Sequence, residues 1–257
     1  MRILVTNDDG FHAAGLQALW QSLEGLGEVW VVAPDRERSG VSHSITLHSP
    51  LRIHRQGERA FTVDGTPADC VYLAANHVLR EAPPDLVVSG INHGPNLADD
   101  ITYSGTVAAA LEATMLGIPA VAVSLCVRSR TADFSASARF TRSVVRGLER
   151  HRLPAGVLLN VNVPEASDGA SYRITRQGRR SYGREVIANT DPRGRPYYWI
   201  GGDEQAHEDR PGSDANAVND ETIISVTPLH LDMTHDPTRE AMLRWDLPGA
   251  VLRGSER

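Results

Sequence analysis

The feature that most constrains the fold is a series of short apolar runs that alternate with segments of helical periodicity. Between the first two runs, Leu16, Leu19 and Leu23 recur at helical spacing before a pair of glycines. The runs are as short as strands and lack polar alternation, and they occupy 2–6, 29–33, 85–89, 120–123 and 157–161. Continuous apolar strands separated by helices predict an α/β fold with a mostly parallel sheet covered on both faces.

Helix-start signals support this pattern in the middle of the chain. Thr66 can cap a second helix, Pro67 suits its first turn, and Asp69 favours the positive end of the helix dipole. A third helix is predicted at about 106–116 and a fourth at about 135–150. With 257 residues, the chain is long enough for one large α/β core, so a single domain over 1–257 is expected.

The segment at about 170–222 differs from the rest of the chain. It is rich in Gly, Pro, Arg and Asp, lacks helical periodicity, and contains an isolated apolar island of Tyr197, Tyr198, Trp199 and Ile200. Two interpretations remain open: a solvated loop, or a β-hairpin arm whose aromatic tip is buried on another subunit. The run at 223–228 then predicts a strand that returns to the core.

Oxygen-bearing side chains follow three of the predicted strands. Asn7, Asp8, Asp9 and Gly10 follow the first strand, Ser39 and Gly40 close the loop after the second, and 89–96 follows the third. Because ligands of parallel sheets bind beyond the carboxyl ends of the strands, these loops are expected to share one crevice. Two carboxylates, a serine hydroxyl and an asparagine amide oxygen suit Mg²⁺ or Mn²⁺. Taken alone, each motif is more typical of a turn or loop than of a metal site, and only their shared placement favours a metal site.

A second candidate element precedes the third helix. Ser104, Gly105 and Thr106 place backbone N–H groups and hydroxyls at a helix N-terminus, which can cradle a phosphate without lysine. The same residues also read as an ordinary N-cap. His12 and His43 lie near these loops as candidate acids, bases or phosphate contacts, while Asp214 and His230 have no role assignable from sequence.

Composition excludes several classes of function. All 26 basic residues are Arg, so chemistry that requires a lysine amine, including Schiff-base catalysis and a P-loop, is excluded. A net charge of -6 argues against a stable nucleic-acid partner or an anionic membrane surface. Cys70 and Cys126 lack metal-ligand spacing, and no signal sequence or membrane-length apolar stretch is seen, so a cytoplasmic location is expected.

Several of these motifs, in this order, resemble the survival protein E (SurE) family of metal-dependent 5′/3′-nucleotidases. The resemblance runs from Met1 to about Thr234 and rests on 7–11, 33–40, 65–67, 89–96, 103–106 and 225–228. It implies a Rossmann-like three-layer α/β/α core, one divalent cation per subunit, and exchange of a C-terminal β-hairpin arm at about 180–200 within a homodimer or homotetramer. Ala14, Ala98 and Glu221 depart from common family residues, and none of them is a presumed ligand.

The resemblance also implies roles for individual residues. The metal ligands would be Asp8, Asp9, Ser39 and Asn92, and the phosphate contacts would be Asn96, Ser104, Gly105 and Thr106. The expected reaction is hydrolysis of nucleoside 5′- or 3′-monophosphates, in which the metal polarises a phosphoryl oxygen and activates water. Asp8 or Asp9 would also accept the proton of that water.

Three other functions remain open from the sequence. A haloacid dehalogenase-like phosphatase would attack phosphorus with a strand-end aspartate, but that chemistry normally uses Asp-x-Asp and a lysine. A non-catalytic dinucleotide-binding module would carry Gly-x-Gly-x-x-Gly after the first strand, where this chain has Asn7, Asp8, Asp9 and Gly10. An oligomeric adaptor would use the aromatic arm and keep the metal loop for structure.

Overall fold

A computed structural model describes residues 1–127, 129, 131–168, 170–181, 186–200 and 206–245. Its centre is a nine-stranded sheet in the order β3-β4-β2-β1-β5-β6-β7-β13-β8. The strands are β1 (Arg2–Thr6), β2 (Glu28–Pro34), β3 (Ile53–Arg55), β4 (Ala60–Val63), β5 (Leu86–His93), β6 (Ala120–Cys126), β7 (Val157–Pro164), β8 (Tyr172–Ile174) and β13 (Ile224–His230). The six strands from β4 to β7 in this order run parallel, which confirms the predicted mostly parallel sheet.

Helices cover both faces of the sheet. They are α1 (Ala14–Leu23), α2 (Pro67–Leu73), α3 (Gly105–Met115), α4 (Ser135–Leu148), α5 (Asp214–Asn219) and α6 (Asp236–Met242), with a π-turn at Ala74–Val78 and a 3₁₀ turn at Ala98–Thr102. Successive strand residues enter opposite cores: Ile3 and Val5 pack on the side of α1 and α4, and Leu4 packs on the side of α2 and α3. This alternation explains why the strands are apolar throughout and confirms the three-layer α/β/α architecture.

The start of α2 follows the sequence prediction closely. The Thr66 hydroxyl accepts a hydrogen bond from the Asp69 amide at 3.1 Å, and the Asp69 carboxylate accepts one from the Thr66 amide at 2.9 Å. Pro67 occupies the first turn. This reciprocal capping box satisfies two amides that the helix leaves without internal partners.

Two elements differ from the sequence-based expectations, and the strand predicted at 223–228 is present as β13. β5 continues to His93, so Asn92 belongs to a strand and not to the loop that follows it. The segment at 170–222 contains the short helix α5, which is too brief to show helical periodicity. The strand at the end of the core, β13, pairs antiparallel with β7 and parallel with β8.

The arm is a β-hairpin, but its aromatic residues do not form the tip. β10 (Val186–Thr190) pairs antiparallel with β11 (Pro196–Ile200), and the turn lies at 191–195. The Asp191 carboxylate closes that turn through bonds to the amides of Arg193 and Arg195. Tyr197, Tyr198 and Trp199 therefore lie along the second strand, because the polar sequence between the strands is the part that can turn.

Two further short strands, β9 (Arg180–Ser181) and β12 (Ala206–His207), precede and follow this hairpin in the sequence and pair antiparallel with each other. In the described part of the chain, no helix has both the length and the apolar character that crossing a membrane requires.

Candidate metal and phosphate site

Asn7 and Gly10, which flank Asp8 and Asp9, shape the turn after β1. The Asn7 side-chain amide donates to the Gly10 carbonyl at 3.0 Å, which closes the turn. Gly10 has a φ of +97°, and a Cβ atom there would lie 2.9 Å from the Arg36 backbone. The Arg38 amide donates to the Asp8 carbonyl at 2.7 Å, so the loop after β2 is fastened to the loop after β1. The turn thus requires glycine and carries the acids toward the neighbouring loop.

Asp8 lies against the N-terminus of α3. Its side chain is only 4% exposed, and its Oδ1 accepts a hydrogen bond from the Thr106 hydroxyl. A Cβ atom at Gly105 would stand 2.8 Å from the Asp8 Cβ and 2.9 Å from its Oδ2, so the absence of a side chain permits this approach. Burial raises the pKa of Asp8 from 3.8 to about 6, against the lowering effect of the Thr106 hydrogen bond. The nearby Asp9 charge raises the pKa further.

Asp9 connects the ends of β1 and β5. Its Oδ2 accepts a hydrogen bond from the His93 amide at 3.1 Å. Burial raises the pKa of Asp9, the His93 amide lowers it, and the charge of Glu37 raises it. Two adjacent carboxyls with raised pKa values favour a bound proton or cation between them.

The two remaining predicted metal ligands come from the ends of β2 and β5. Ser39 lies on the exposed loop after β2 and donates its hydroxyl to the Glu37 carboxylate at 2.9 Å. The Asn92 side-chain NH₂ donates to the Gly94 carbonyl at 2.9 Å, which assigns the donor half of the amide to its own loop. The Oδ1 of Asn92, the atom that binds a hard cation, has no hydrogen bond within the described residues.

These side chains meet in one cavity of about 370 Å³ at the carboxyl ends of the parallel strands. Its lining includes three of the predicted metal ligands (Asp8, Ser39 and Asn92) and two of the predicted phosphate contacts (Asn96 and Ser104). Asp9 adjoins the cavity through His93, which is also part of the lining. Gly105 and Thr106 lie behind Asp8 and do not line the cavity.

The N-terminus of α3 forms the wall next to Asp8. Ser104 is the N-cap, and its Oγ accepts the Val107 amide at 3.0 Å. The Thr106 hydroxyl is committed to Asp8, so Thr106 orients that carboxylate while the first-turn amides add positive potential. The N-terminus of α3 has the predicted N-cap, and this cap leaves the first-turn amides compatible with the predicted phosphate cradle.

Asn96 is held by a polar network that the sequence reasoning missed. The Asn96 amide donates to Asn162 Oδ1 at 2.8 Å, and the Asn96 carbonyl accepts from the side chains of Asn160 and Asn162 at 2.9 and 3.0 Å. The Asn96 side chain donates to the Ser124 hydroxyl at 2.7 Å. All four residues are buried. The two asparagines interrupt an otherwise apolar strand, and that interruption was the available sequence signal.

The fold gives Asp214 a structural position. Its buried carboxylate accepts the amides of Ala98, Gly178 and Ala215 at 2.9, 2.8 and 2.8 Å. This fixes the 3₁₀ turn that forms the next part of the cavity wall. Satisfying three amides with one carboxylate is a strong, charge-assisted arrangement.

The structure does not bring the candidate histidines His12, His43 and His230 into the cavity. His12 is exposed and packs edge-on to Phe11, and His43 Nε2 lies 2.8 Å from Glu112 Oε2. His230 contacts the backbone of Asp232. His93 lines the cavity instead, and its Nε2 bonds to the Ser129 carbonyl at 2.8 Å.

The residues present fit a hard divalent cation. Carboxylate, hydroxyl and amide oxygens converge on one cavity, and Gly105 leaves the room that the buried Asp8 needs. Within the described ranges, no group of three or more His, Cys, Asp or Glu side chains could hold a metal. Two carboxylates completed by neutral oxygens are typical of Mg²⁺ or Mn²⁺ and unlike a structural zinc site.

Comparisons with known proteins place the chain beside one family. The model of the family described as survival protein SurE matches residues 3–184. The chain is 57% identical over 248 residues to the 5′-nucleotidase SurE of Myxococcus xanthus (strain DK1622), covering 96% of this chain and 94% of that protein. It is 52% identical over 249 residues to the 5′-nucleotidase SurE of Geobacter sulfurreducens, with coverage of 96% and 94%.

A solved structure shares the fold. The crystal structure of the SurE protein from Aquifex aeolicus matches with a TM-score of 0.85 and 43% sequence identity, covering 94% of this chain and 98% of that one. The similarity therefore extends over nearly the whole chain.

Proposed function

Because the chain belongs to the SurE family, we propose that it is a divalent-metal-dependent phosphomonoesterase that hydrolyses nucleoside 5′- and 3′-monophosphates to nucleoside and phosphate. The observation that carries this proposal is the single cavity that joins the acidic turn after β1 to the N-terminus of α3. An oxygen-ligand set beside first-turn helix amides suits a cation and a phosphate together.

One cation per subunit, Mg²⁺ or Mn²⁺, would be held by Asp8, Asp9, Ser39 and Asn92. When bound there, it supplies Lewis-acid activation of the phosphoryl group and of the attacking water. Thr106 keeps Asp8 oriented through its hydroxyl, and the His93 amide does the same for Asp9. These two hydrogen bonds fix the acids before any ligand arrives.

The phosphate would be bound on the other side of the same cavity. Ser104 contributes a hydroxyl whose oxygen already caps α3, and Gly105 and Thr106, which lie behind Asp8, would act through the positive potential of the helix N-terminus. Asn96 presents a side chain that the buried asparagines of β7 hold in place. Asp8 or Asp9 would also accept the proton of the attacking water, since both carboxylates adjoin the place where the cation would activate it.

The test is phosphate release from a panel of nucleoside 5′- and 3′-monophosphates, with and without chelator. We expect release that depends on added Mg²⁺ or Mn²⁺ and falls by orders of magnitude in Asp9→Asn. Exposed Asp232→Asn serves as the matched control. A trapped acyl-phosphate on Asp8 would instead favour the haloacid dehalogenase-like chemistry, and chelator-resistant hydrolysis would contradict the metal dependence proposed here.

We also propose that the β10–β11 hairpin assembles the chain into a homodimer or homotetramer by arm exchange. The hairpin exposes a large apolar surface, in which Tyr198, Trp199 and Ile200 are 64%, 67% and 93% exposed. Isolated subunits rarely leave such a patch open to water. In this proposal the arm at about 170–222 belongs to the single domain over 1–257.

A cytoplasmic location completes the proposal. Cys70 and Cys126 are both free, and burial raises the pKa of Cys70 well above its ordinary value and that of Cys126 to about 12. Unpaired buried thiols persist most easily in a reducing compartment.

A further inference from the structure

Arg180 lines the candidate cavity, although it belongs to the segment at about 170–222, whose Gly-, Pro-, Arg- and Asp-rich composition differs from that of the core. Among the described residues that line the cavity, it is the only arginine, and the chain contains no lysine. It reaches the cavity from β9, next to the 3₁₀ turn at Ala98–Thr102. A positive charge in a cavity that is otherwise lined by acids and neutral groups calls for a functional account.

The backbone and the side chain of Arg180 are both held against that turn. The Arg180 amide donates to Asp99 Oδ2 at 2.8 Å, and its Nη1 donates to Asp100 Oδ1. Only 18% of the Arg180 side chain and 21% of the Asp100 side chain are exposed. The turn itself is fixed by Asp214 through the Ala98 amide. The guanidinium is therefore placed at the cavity in advance, and little side-chain entropy remains to be lost on binding.

Arg180 offsets part of the negative charge around the cavity. Asp8, Asp9 and Asp100 lie at or beside it, the Glu37 carboxylate accepts the Ser39 hydroxyl, and Asp99 accepts the Arg180 amide. A divalent cation would compensate two of these charges and Arg180 a further one. Without Arg180 the surroundings of the cavity would be more negative by one charge, and a dianionic phosphate would be repelled more strongly.

We propose that Arg180 is a further substrate-binding residue, whose guanidinium contacts the phosphoryl oxygens of a phosphomonoester. The identity of the nucleotide substrate rests on the proposed function, but the contact with phosphate does not. A guanidinium is the side chain best suited to planar recognition of phosphate oxygens. Asp100 holds the guanidinium at the cavity through a side-chain oxygen, and an asparagine at position 100 would keep such an oxygen as the acceptor.

A purely structural role of the Arg180–Asp100 ion pair predicts a different result, because removing either partner breaks the pair. If the Arg180–Asp100 pair only fastens β9 to the turn, Arg180→Gln and Asp100→Asn will have the same effect. If Arg180 binds phosphate, Asp100→Asn keeps the guanidinium, removes a competing negative charge, and leaves the Asp99 contact in place. Phosphate affinity will then be retained or increased in Asp100→Asn and lost in Arg180→Gln.

The experiment measures the affinity of the full-length, Mg²⁺-loaded protein for inorganic phosphate by calorimetry, and for adenosine as a neutral probe. We expect Arg180→Gln to weaken phosphate binding about ten- to hundredfold and leave adenosine binding unchanged. Arg180→Lys should recover part of the loss. The matched control is Arg179→Gln, which alters the adjacent, exposed arginine outside the cavity.

If Arg180→Gln proves unstable, the double variant Arg180→Gln/Asp100→Asn removes both charges and should show the same loss of phosphate affinity. A change of less than about twofold, an equal loss in Asp100→Asn, or a wild-type chain that binds no phosphate would overturn the proposal. Because phosphate binding is measured directly, an absence of nucleotide hydrolysis would refute the proposed function while leaving this contact testable.

Discussion

The buried carboxyl of Asp8 should make the cation-free protein less stable at neutral pH than a variant that lacks its charge. In the folded state the pKa of Asp8 is raised from 3.8 to about 6, chiefly by burial. The folded state therefore holds the Asp8 proton more tightly than the unfolded chain does. Below pH 3.8 this difference stabilises the fold fully, and the stabilisation disappears as pH rises through 6.

The size of the effect follows from the same pKa values. Raising the pKa from 3.8 to about 6 corresponds to about 3 kcal/mol of unfolding free energy at pH 8, and about half of that at pH 5. Asp8→Asn removes the charge and keeps an oxygen that can accept the Thr106 hydroxyl. We therefore expect Asp8→Asn to be more stable than wild type at pH 8 in chelator, by up to about 3 kcal/mol.

Urea unfolding in chelator at pH 5 and pH 8, at one protein concentration, measures this difference. Added Mg²⁺ should reverse the order, because wild type gains stability from binding the cation and Asp8→Asn has lost a ligand. The control is Asp232→Asn. Hydrogen bonds from Thr234 lower the pKa of that exposed carboxyl, so removing its charge should not stabilise the protein at pH 8. An Asp8→Asn variant no more stable than wild type at pH 8, or one whose advantage is equal at pH 5, would refute the reasoning.

Three further substitutions test other parts of the site and the arm. Thr106→Val removes the donor to Asp8 and should lower the unfolding free energy by about 1.5–3 kcal/mol in urea titrations, whereas exposed Thr222→Val should not. Asn162→Leu removes the two hydrogen bonds that Asn162 makes to the Asn96 backbone and leaves the one from Asn160, so kcat/KM for a nucleoside monophosphate should fall at least about tenfold; unchanged kinetics would count against a role for Asn96. Trp199→Ser should shift the mass measured by light scattering toward the monomer, and a wild-type chain that is already monomeric would contradict arm exchange.

Local chemistry made much of the fold predictable. Strands β1, β2, β5, β6 and β7 were visible because burial on both faces removes the polar alternation that would otherwise blur a short run, whereas the short strands β3, β4 and β8 were not predicted. The start of α2 was visible because Thr66, Pro67 and Asp69 act within four residues of one another. The orientation of β13 was not visible, because it depends on how the chain returns to the sheet after the long segment before it.

In the candidate site, too, features encoded by adjacent residues were predictable and features that depend on distant segments were not. Its acidic turn and helix N-terminus are contiguous motifs, so their residues could be named from sequence. The extension of β5 to Asn92 and the arrival of Arg180 depend on pairing between distant segments. No local pattern encodes that Arg180 meets Asp100, because the partners are 80 residues apart in sequence.

Buried polar residues within the central strands account for how this site is supported. Ser124, Asn160 and Asn162 occupy positions where the apolar pattern of β6 and β7 would predict aliphatic side chains, and each has no exposed surface. Burying such groups weakens a core unless each finds partners, so their presence requires a compensating bond. Here the main partner is Asn96, whose loop has no regular structure to satisfy its own backbone. Polar interruptions near the carboxyl ends of apolar parallel strands therefore indicate the floor of a site, because the loop above supplies what the core cannot.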